Sequence, residues 1–168
     1  MKNEIQPGTI LISKPFIEDK RFEKTIILIA EHNLNGTIGF ILNQETKINV
    51  NELISDFPKS NINLKHGGPV EKNSIFFIHT YPDLINKYIE IKNGIFWGGE
   101  LTDVLKGLEN DEINSSQIAF FIGYTGWEKN QLQQELEEGS WIIHKMDLKK
   151  INEKVNWSNL LIEINQEY

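Results

Sequence analysis

A single α/β (α+β) domain, built on a mixed and partly curled sheet with helices packed over it, is what this sequence predicts for residues 1–168. Three observations point there. The first half alternates short apolar runs with tight turns, the pattern of hairpin-linked strands. The second half contains strand–helix–strand units, which bring helices onto a sheet face. A length of 168 residues, with 39% hydrophobic and 24% charged, suits one domain with a real core, and no stretch resembles a linker.

In chain order, Pro7-Gly8 precedes a β-branched strand over residues 9–13. Residues 14–24 form a connection, and the rings of Phe16 and Phe22 are expected to pin it to the core. Residues 25–31 make the strongest strand, apolar almost throughout, as a strand covered on both faces should be. Asn33-Leu34-Asn35-Gly36 is a turn whose Asn-Gly supplies positive φ, and residues 37–42 return as the second arm of a hairpin. Val50, Leu53, Ile54 and Phe57 recur at helical spacing, so residues 49–56 read as a short helix stopped by Pro58. Gly67-Gly68-Pro69 is a turn that lets the backbone approach another group closely. Residues 74–80 form a strand broken by Pro82, and two short strands, 88–92 and 93–97, flank Asn93-Gly94. Gly98-Gly99 then leads into a helix over 101–108, with Val104, Leu105 and Leu108 on one side.

The stretch 123–141 organises the second half. Residues 118–122 are a buried strand. Thr125 and Glu128 fit a capping box that opens a helix there, and Leu132 with Leu136 gives that helix an apolar stripe. Gly139 can end it in the left-handed conformation, and a strand follows over 140–144. Residues 145–154 and 157–165 read as closing helices, with Asn156 or Ser158 as N-cap.

Composition narrows the function. The net charge is -7 and Arg21 is the sole arginine, so direct nucleic-acid contact is disfavoured, a lysine cluster at 145–150 notwithstanding. Zero cysteines exclude disulfides and thiolate sites. The start carries no signal-peptide pattern, and the longest apolar run, residues 26–30, is too short to cross a bilayer. The expected setting is therefore the cytoplasm, with no membrane contact. Neither a Gly-x-Gly-x-x-Gly nor a Walker motif occurs, and nothing in the sequence asks for a cofactor.

Several blocks resemble the AlgH/YqgE family of bacterial proteins. They are residues 8–13; residues 22–43, with Glu31-His32-Asn33 and Gly39-Phe40-Ile41-Leu42-Asn43; Gly67-Gly68-Pro69-Val70; and Gly123-Tyr124-Thr125-Gly126-Trp127 with Gln131-Leu132 and Trp141. Around His79 and Trp97-Gly98-Gly99 the match is looser. Gln44-Glu45 stand where the family usually has Arg-Pro, and Lys129-Asn130 where it often has Pro-Gly. The resemblance implies a compact cytoplasmic α/β protein. It brings the family's label of transcriptional regulator but no established reaction.

The residues themselves support three functions. The first is a non-enzymatic binding or regulatory protein. Its surface would be formed by Gly67, Gly68, Trp97, Gly123, Thr125, Gly126 and Trp127, where glycine turns and the N-terminus of a helix near Thr125 offer backbone N–H groups beside aromatic rings. Its occupant would be a protein partner or a small anionic ligand. The second is a hydrolase-like or metal-dependent enzyme using His32, His66 or His79 with Glu31 or Glu100. No histidine pair has ligand spacing, so that enzyme needs the histidines to converge in space. The third, a regulator touching DNA directly, has no helix-turn-helix pattern to rest on. The first is preferred, without catalytic or metal-binding residues.

Overall fold

The computed structural model describes residues 5–147 and 151–167. The described residues contain ten strands and three α-helices: β1 Ile10–Ser13, β2 Ile26–Asn33, β3 Gly36–Ile41, β4 Glu45–Asn49, β5 Asn63–His66, β6 Val70–His79, β7 Ile89–Lys92, β8 Ile95–Trp97, α1 Leu101–Glu109, β9 Ile118–Trp127, α2 Gln131–Glu137, β10 Trp141–His144 and α3 Trp157–Glu167. The strands form one mixed sheet in the order β10-β1-β2-β3-β9-β6-β8-β7, and β5 lies parallel to β9 with β4 beyond it. The expected α+β fold is the one observed. No helix among the described residues is long and apolar enough to cross a membrane.

Strand alternation divides the core. Along β2, Ile26, Leu28 and Ala30 face an inner cluster shared with Ile10, Ile12, Phe40, Phe121 and the α3 residues Leu160 and Ile164. Ile27 and Ile29 face the other side, where Leu11, Ile41, Trp127, Leu132 and Trp141 pack under α2. A third cluster, with Val50, Leu64, Phe77, Val104 and Phe120, lies under α1. The continuous apolar run of β2 follows from this burial on both faces. The sheet curls without closing: Ile91 of β7 joins the inner cluster, and Lys92 reaches Gly8, just ahead of β1.

The hairpin pairs as expected, with Asn33 opposite Gly36 and Ile27 opposite Ile41. The strand β9, ten residues long like β6, carries the whole sheet. On one edge it pairs with β6 at Ile118–Ile122 and, after a register shift, at Tyr124; on the other it pairs with β5 at Phe121–Ile122 and then with β3 at Thr125–Trp127. The partner changes at Gly123, whose φ of 74° marks a bulge.

Four expectations need correction. Thr125 caps no helix. It sits inside β9 opposite Gly39, and α2 begins only at Gln131, with Asn130 in the left-handed region at φ 68° as its N-cap. The Glu128 N–H is satisfied by the Gln131 side chain, 2.9 Å away, so strand pairing has displaced the capping box. Residues 49–56 hold only one 3₁₀ turn, Val50–Glu52, with its own capping box from Asn49 and Glu52. Leu53 is half exposed, so the helical stripe lacks a continuous surface to bury against. The flanking strands β4 and β5 were not foreseen. Phe22 is buried as expected, but Phe16 is 94% exposed, placed at φ 66° in the turn closed by the Ile17 N–H to the Lys14 carbonyl. The helix expected over 145–154 is absent at 145–147 and 151–154, and residues 148–150 lie outside the described set. There the backbone bonds to another element instead, with Asn152 N–H on the Ser116 carbonyl.

Candidate functional site

Four of the expected binding residues form a knot of backbone. Gly67 and Gly68 cross β9 at its bulge, so close that a Cβ on Gly68 would overlap the Tyr124 carbonyl and Thr125 Oγ1, and one on Gly123 the Gly68 carbonyl. The Gly67 carbonyl accepts from the Ile41 N–H at 3.0 Å and from the Thr125 hydroxyl at 3.2 Å. Thr125 is 1% exposed, and Gly67, Gly68 and Gly123 are buried with it. The close approach demanded by these glycines is real, but the group approached is the chain's own backbone. With no helix starting at Thr125, no helix N-terminus supplies anion-binding N–H groups there.

The two tryptophans lie apart. Trp97 packs into the inner face, its ring centroid 5.8 Å from that of Phe40 and 6.3 Å from that of Phe76, and its buried Nε1 has no hydrogen-bond partner among the described residues. Trp127 is on the opposite face under α2. There Glu135 Oε1 accepts from Trp127 Nε1 at 3.1 Å and from Trp141 Nε1 at 2.9 Å, so one carboxylate ties α2 to β9 and β10. The sequence signal for Glu135 was its place one turn after Leu132, on the edge of the buried stripe.

The histidines do not gather. His79 and His66 pair with Ile118 and Ile122 of β9, while His32 pairs with Thr37, itself opposite Trp127. At ~3.3 Å per strand residue these stations on β9 are spaced by roughly 13 and 16 Å. No group of three or more His, Asp or Glu among the described residues is placed to hold a metal ion. Two of the three rings hold local hydrogen bonds. His32 Nδ1 meets Thr37 Oγ1 at 2.7 Å. His79 meets the Gly98 carbonyl through Nε2 at 3.1 Å and accepts the Tyr81 N–H at Nδ1, 3.1 Å, which assigns its proton to Nε2. Of the carboxylates considered with them, Glu100 pairs with Lys87 at 3.0 Å.

Burial lowers the His79 pKa below the ordinary value, against the opposing pull of the Gly98 carbonyl. The unfolded chain therefore takes up this proton first. The stabilisation is complete above about pH 6.5 and is lost as pH falls through the lower folded pKa. Denaturant unfolding between pH 7 and 5 should show a loss of stability that His79→Gln, which does not titrate, lacks. An equal slope in both proteins would assign the acid sensitivity elsewhere.

Lys65 of β5 was not anticipated. It is 3% exposed with no ion pair among the described residues, and burial lowers its pKa despite the field of Glu45 opposite.

Two open clefts flank the tip of the β2–β3 hairpin. One, of about 1210 Å³, runs along α2 and β10 and includes Lys14, His32, Leu34, Lys129, Leu132, Leu136 and Ile143. The other, of about 760 Å³, lies where Glu31, Ile38, Val70, Tyr124, Gly126, Trp127 and Glu128 meet. Asn33, Gly36, Thr37 and Glu128 border both. Of the expected site residues, Gly126 and Trp127 are the two that line either of these clefts. The sequence points to Glu31 for catalysis alone and gives Tyr124 and Glu128 no binding role.

Gly126 stands out in the smaller cleft. It is exposed, sits within β9, and its φ is not positive. A Cβ there would make only ordinary contacts, 3.5 Å to Tyr124 Cε1 and 3.8 Å to Val70 Cγ2. Nothing in the local fold requires glycine at this position, and a glycine within a strand often marks a place where another group comes close.

Comparison with known proteins places the chain. A family model described as AlgH-like matches residues 10–168. A UPF0301 protein of Chlorobium limicola is 40% identical over 139 residues, covering 83% of this chain and 74% of that protein. One from Cytophaga hutchinsonii is 34% identical over 165 residues, covering 96% and 91%. Two solved structures share the fold at 22% identity. The protein DIP2367 from Corynebacterium diphtheriae has a TM-score of 0.78 over 97% of this chain and 89% of that one. AlgH from Pseudomonas aeruginosa, solved in solution, has a TM-score of 0.77 over 99% and 93%. The chain belongs to the AlgH-like family.

Proposed function

We propose that this is a binding protein with a regulatory rather than a catalytic role, acting in the cytoplasm through the cleft over Gly126. The observation that carries this reading is the bare strand glycine. Gly126 forgoes a side chain that its backbone and its neighbours would accept, and the space so kept lies in a cleft of about 760 Å³. A strand glycine sacrifices packing and adds backbone entropy to the cost of folding, so the empty space has its use in what occupies it. The dispersed histidines favour binding over catalysis. The carboxylates of Glu31 and Glu128 at this cleft oppose direct contact with a phosphate backbone.

Gly126→Val tests the proposal, because it fills the cleft without straining the fold. Its melting temperature should stay within a few degrees of wild type. A thermal-shift panel of metals, nucleotides, sugar phosphates, basic and acidic peptides and short duplex DNA is then run on both proteins. A ligand that stabilises wild type and loses its effect in Gly126→Val supports the cleft. A ligand whose effect survives the substitution places binding elsewhere and overturns the reading.

A further inference from the structure

We propose that the cleft over Gly126 takes an organic cation, the guanidinium or ammonium group of an arginine or lysine on a partner protein, held between Glu31 and Glu128 and against the Tyr124 ring. This rests on the reading of that cleft as the binding surface. The charge of the lining points one way. Glu31 and Glu128 are its ionisable carboxylates, and no lysine, arginine or histidine lines it. Lys129, next to Glu128 in sequence, faces the other cleft. A chain of net charge -7 adds a long-range attraction for cationic partners.

Register sets the geometry. Glu31 is opposite Ile38 on β3, and Ile38 is opposite Gly126 on β9, so the three lie in one row across the sheet. Neighbouring strands are ~4.8 Å apart, which puts the Glu31 backbone about 10 Å from that of Gly126. A glutamate side chain spans much of that gap and can meet a group resting on the bare glycine. Beside the glycine stands Tyr124, half-buried and braced edge-on by Phe76 at a centroid distance of 5.5 Å and an angle of 88°. Among the described residues no hydrogen bond uses its hydroxyl. A fixed aromatic face beside two carboxylates suits a flat guanidinium, which stacks and accepts an ion pair together. The side-chain amide of Asn35 adds a carbonyl acceptor to the rim, where the oxygens of Asn33 and Gln131 already accept from the Asn35 and Glu128 N–H groups. A volume of about 760 Å³ exceeds one side chain, leaving room for the flanking backbone of a protein segment.

The test is an amide NMR titration of the intact chain at low salt with three probes. They are an end-blocked arginine peptide, the same peptide with citrulline in place of arginine, and free spermidine. Citrulline keeps the shape and removes the charge. The arginine peptide should shift Thr37, Ile38 and Gly126, weaken at high salt, and bind more tightly than its citrulline counterpart. Glu31→Gln and Glu128→Gln should each weaken it about two- to five-fold, the scale of a solvent-screened ion pair. Equal binding of the citrulline peptide at the same amides, or binding unchanged in both glutamine variants, overturns the cation while leaving the cleft as binding surface. Spermidine binding more tightly than the peptide overturns a protein-borne source. A response to none of the probes at these three amides overturns the cation, and Gly126→Val in the ligand panel then judges the cleft separately.

Discussion

Gly68→Ala is expected to lower the melting temperature by roughly 10 °C or more, or to leave no soluble protein, at ~2–4 °C for each kcal/mol in a domain of this size. Two costs combine. The φ of 153° at Gly68 lies where side chains are strained, a penalty of about 1–3 kcal/mol. The new Cβ would also overlap the Tyr124 carbonyl and Thr125 Oγ1, and forcing an atom into packed surroundings adds about 1–3 kcal/mol. Neither obstacle can yield cheaply. Tyr124 pairs with Val70 in the ladder, and the Thr125 hydroxyl is committed to the Gly67 carbonyl. Gly139→Ala separates the two costs. Its φ is 80°, but the nearest atom to an added Cβ is the flexible Lys14 Nζ at 3.6 Å. It should lose only a few degrees, in line with a backbone cost of about 1–2 kcal/mol. Thermal unfolding of both variants decides the matter. Equal losses would mean that the crossing over β9 tolerates a methyl group and that the knot contributes only its backbone angles.

What the sequence made legible was whatever depends on near neighbours. The hairpin of β2 and β3 was readable because an Asn-Gly turn joins two apolar arms, and the end of α2 because Gly139 follows its stripe. The partner change along β9 was not, because it depends on Gly68 meeting Gly123 far along the chain. Seen locally, Thr125 and Glu128 satisfy a capping box; what overrides it is the pairing of Thr125 with Gly39, which no local pattern reports. β4 and β5 escaped for the same reason. Glu45 and Lys47 are exposed, while Lys65 is charged yet buried, so neither strand shows the alternation that marks a half-buried strand.

The candidate site divides along the same line. Glycines are good indicators of close backbone approach, and Gly67, Gly68 and Gly123 do mark one. Their sequence does not say whether the approaching group is a ligand or the chain itself. Gly126 differs from them in a property that only coordinates reveal, the open space over an ordinary strand backbone. Glu31 becomes its neighbour through two successive strand pairings, and Tyr124 through alternation along β9. Trp97 and Trp127 look alike in sequence, each beside a glycine pair or motif, yet the sheet separates them onto opposite faces.

Glu135→Ala should loosen the attachment of α2 strongly, although the side chain is not part of the apolar stripe. It would strand two buried indole N–H groups, since Trp127 and Trp141 are 4% and 3% exposed and both donate to the same carboxylate oxygen. A buried donor left without its acceptor costs about 1–3 kcal/mol, so the pair should cost roughly 2–4 kcal/mol. That corresponds to a fall in melting temperature of about 5–15 °C. Glu135→Gln keeps an acceptor oxygen and should lose less than half as much. The other carboxylate oxygen receives Gln131 Nε2 at 3.3 Å, a contact on an exposed edge that adds little. Because the two indoles share one oxygen, their losses should not add. Trp127→Phe combined with Glu135→Ala should destabilise by clearly less than the sum of the single changes, the signature of groups acting through one acceptor. A double mutant showing full additivity would mean that the carboxylate does not couple the tryptophans. The attachment of α2 would then rest on Leu132, Leu136 and the edge-on contact of the two indoles at 6.1 Å.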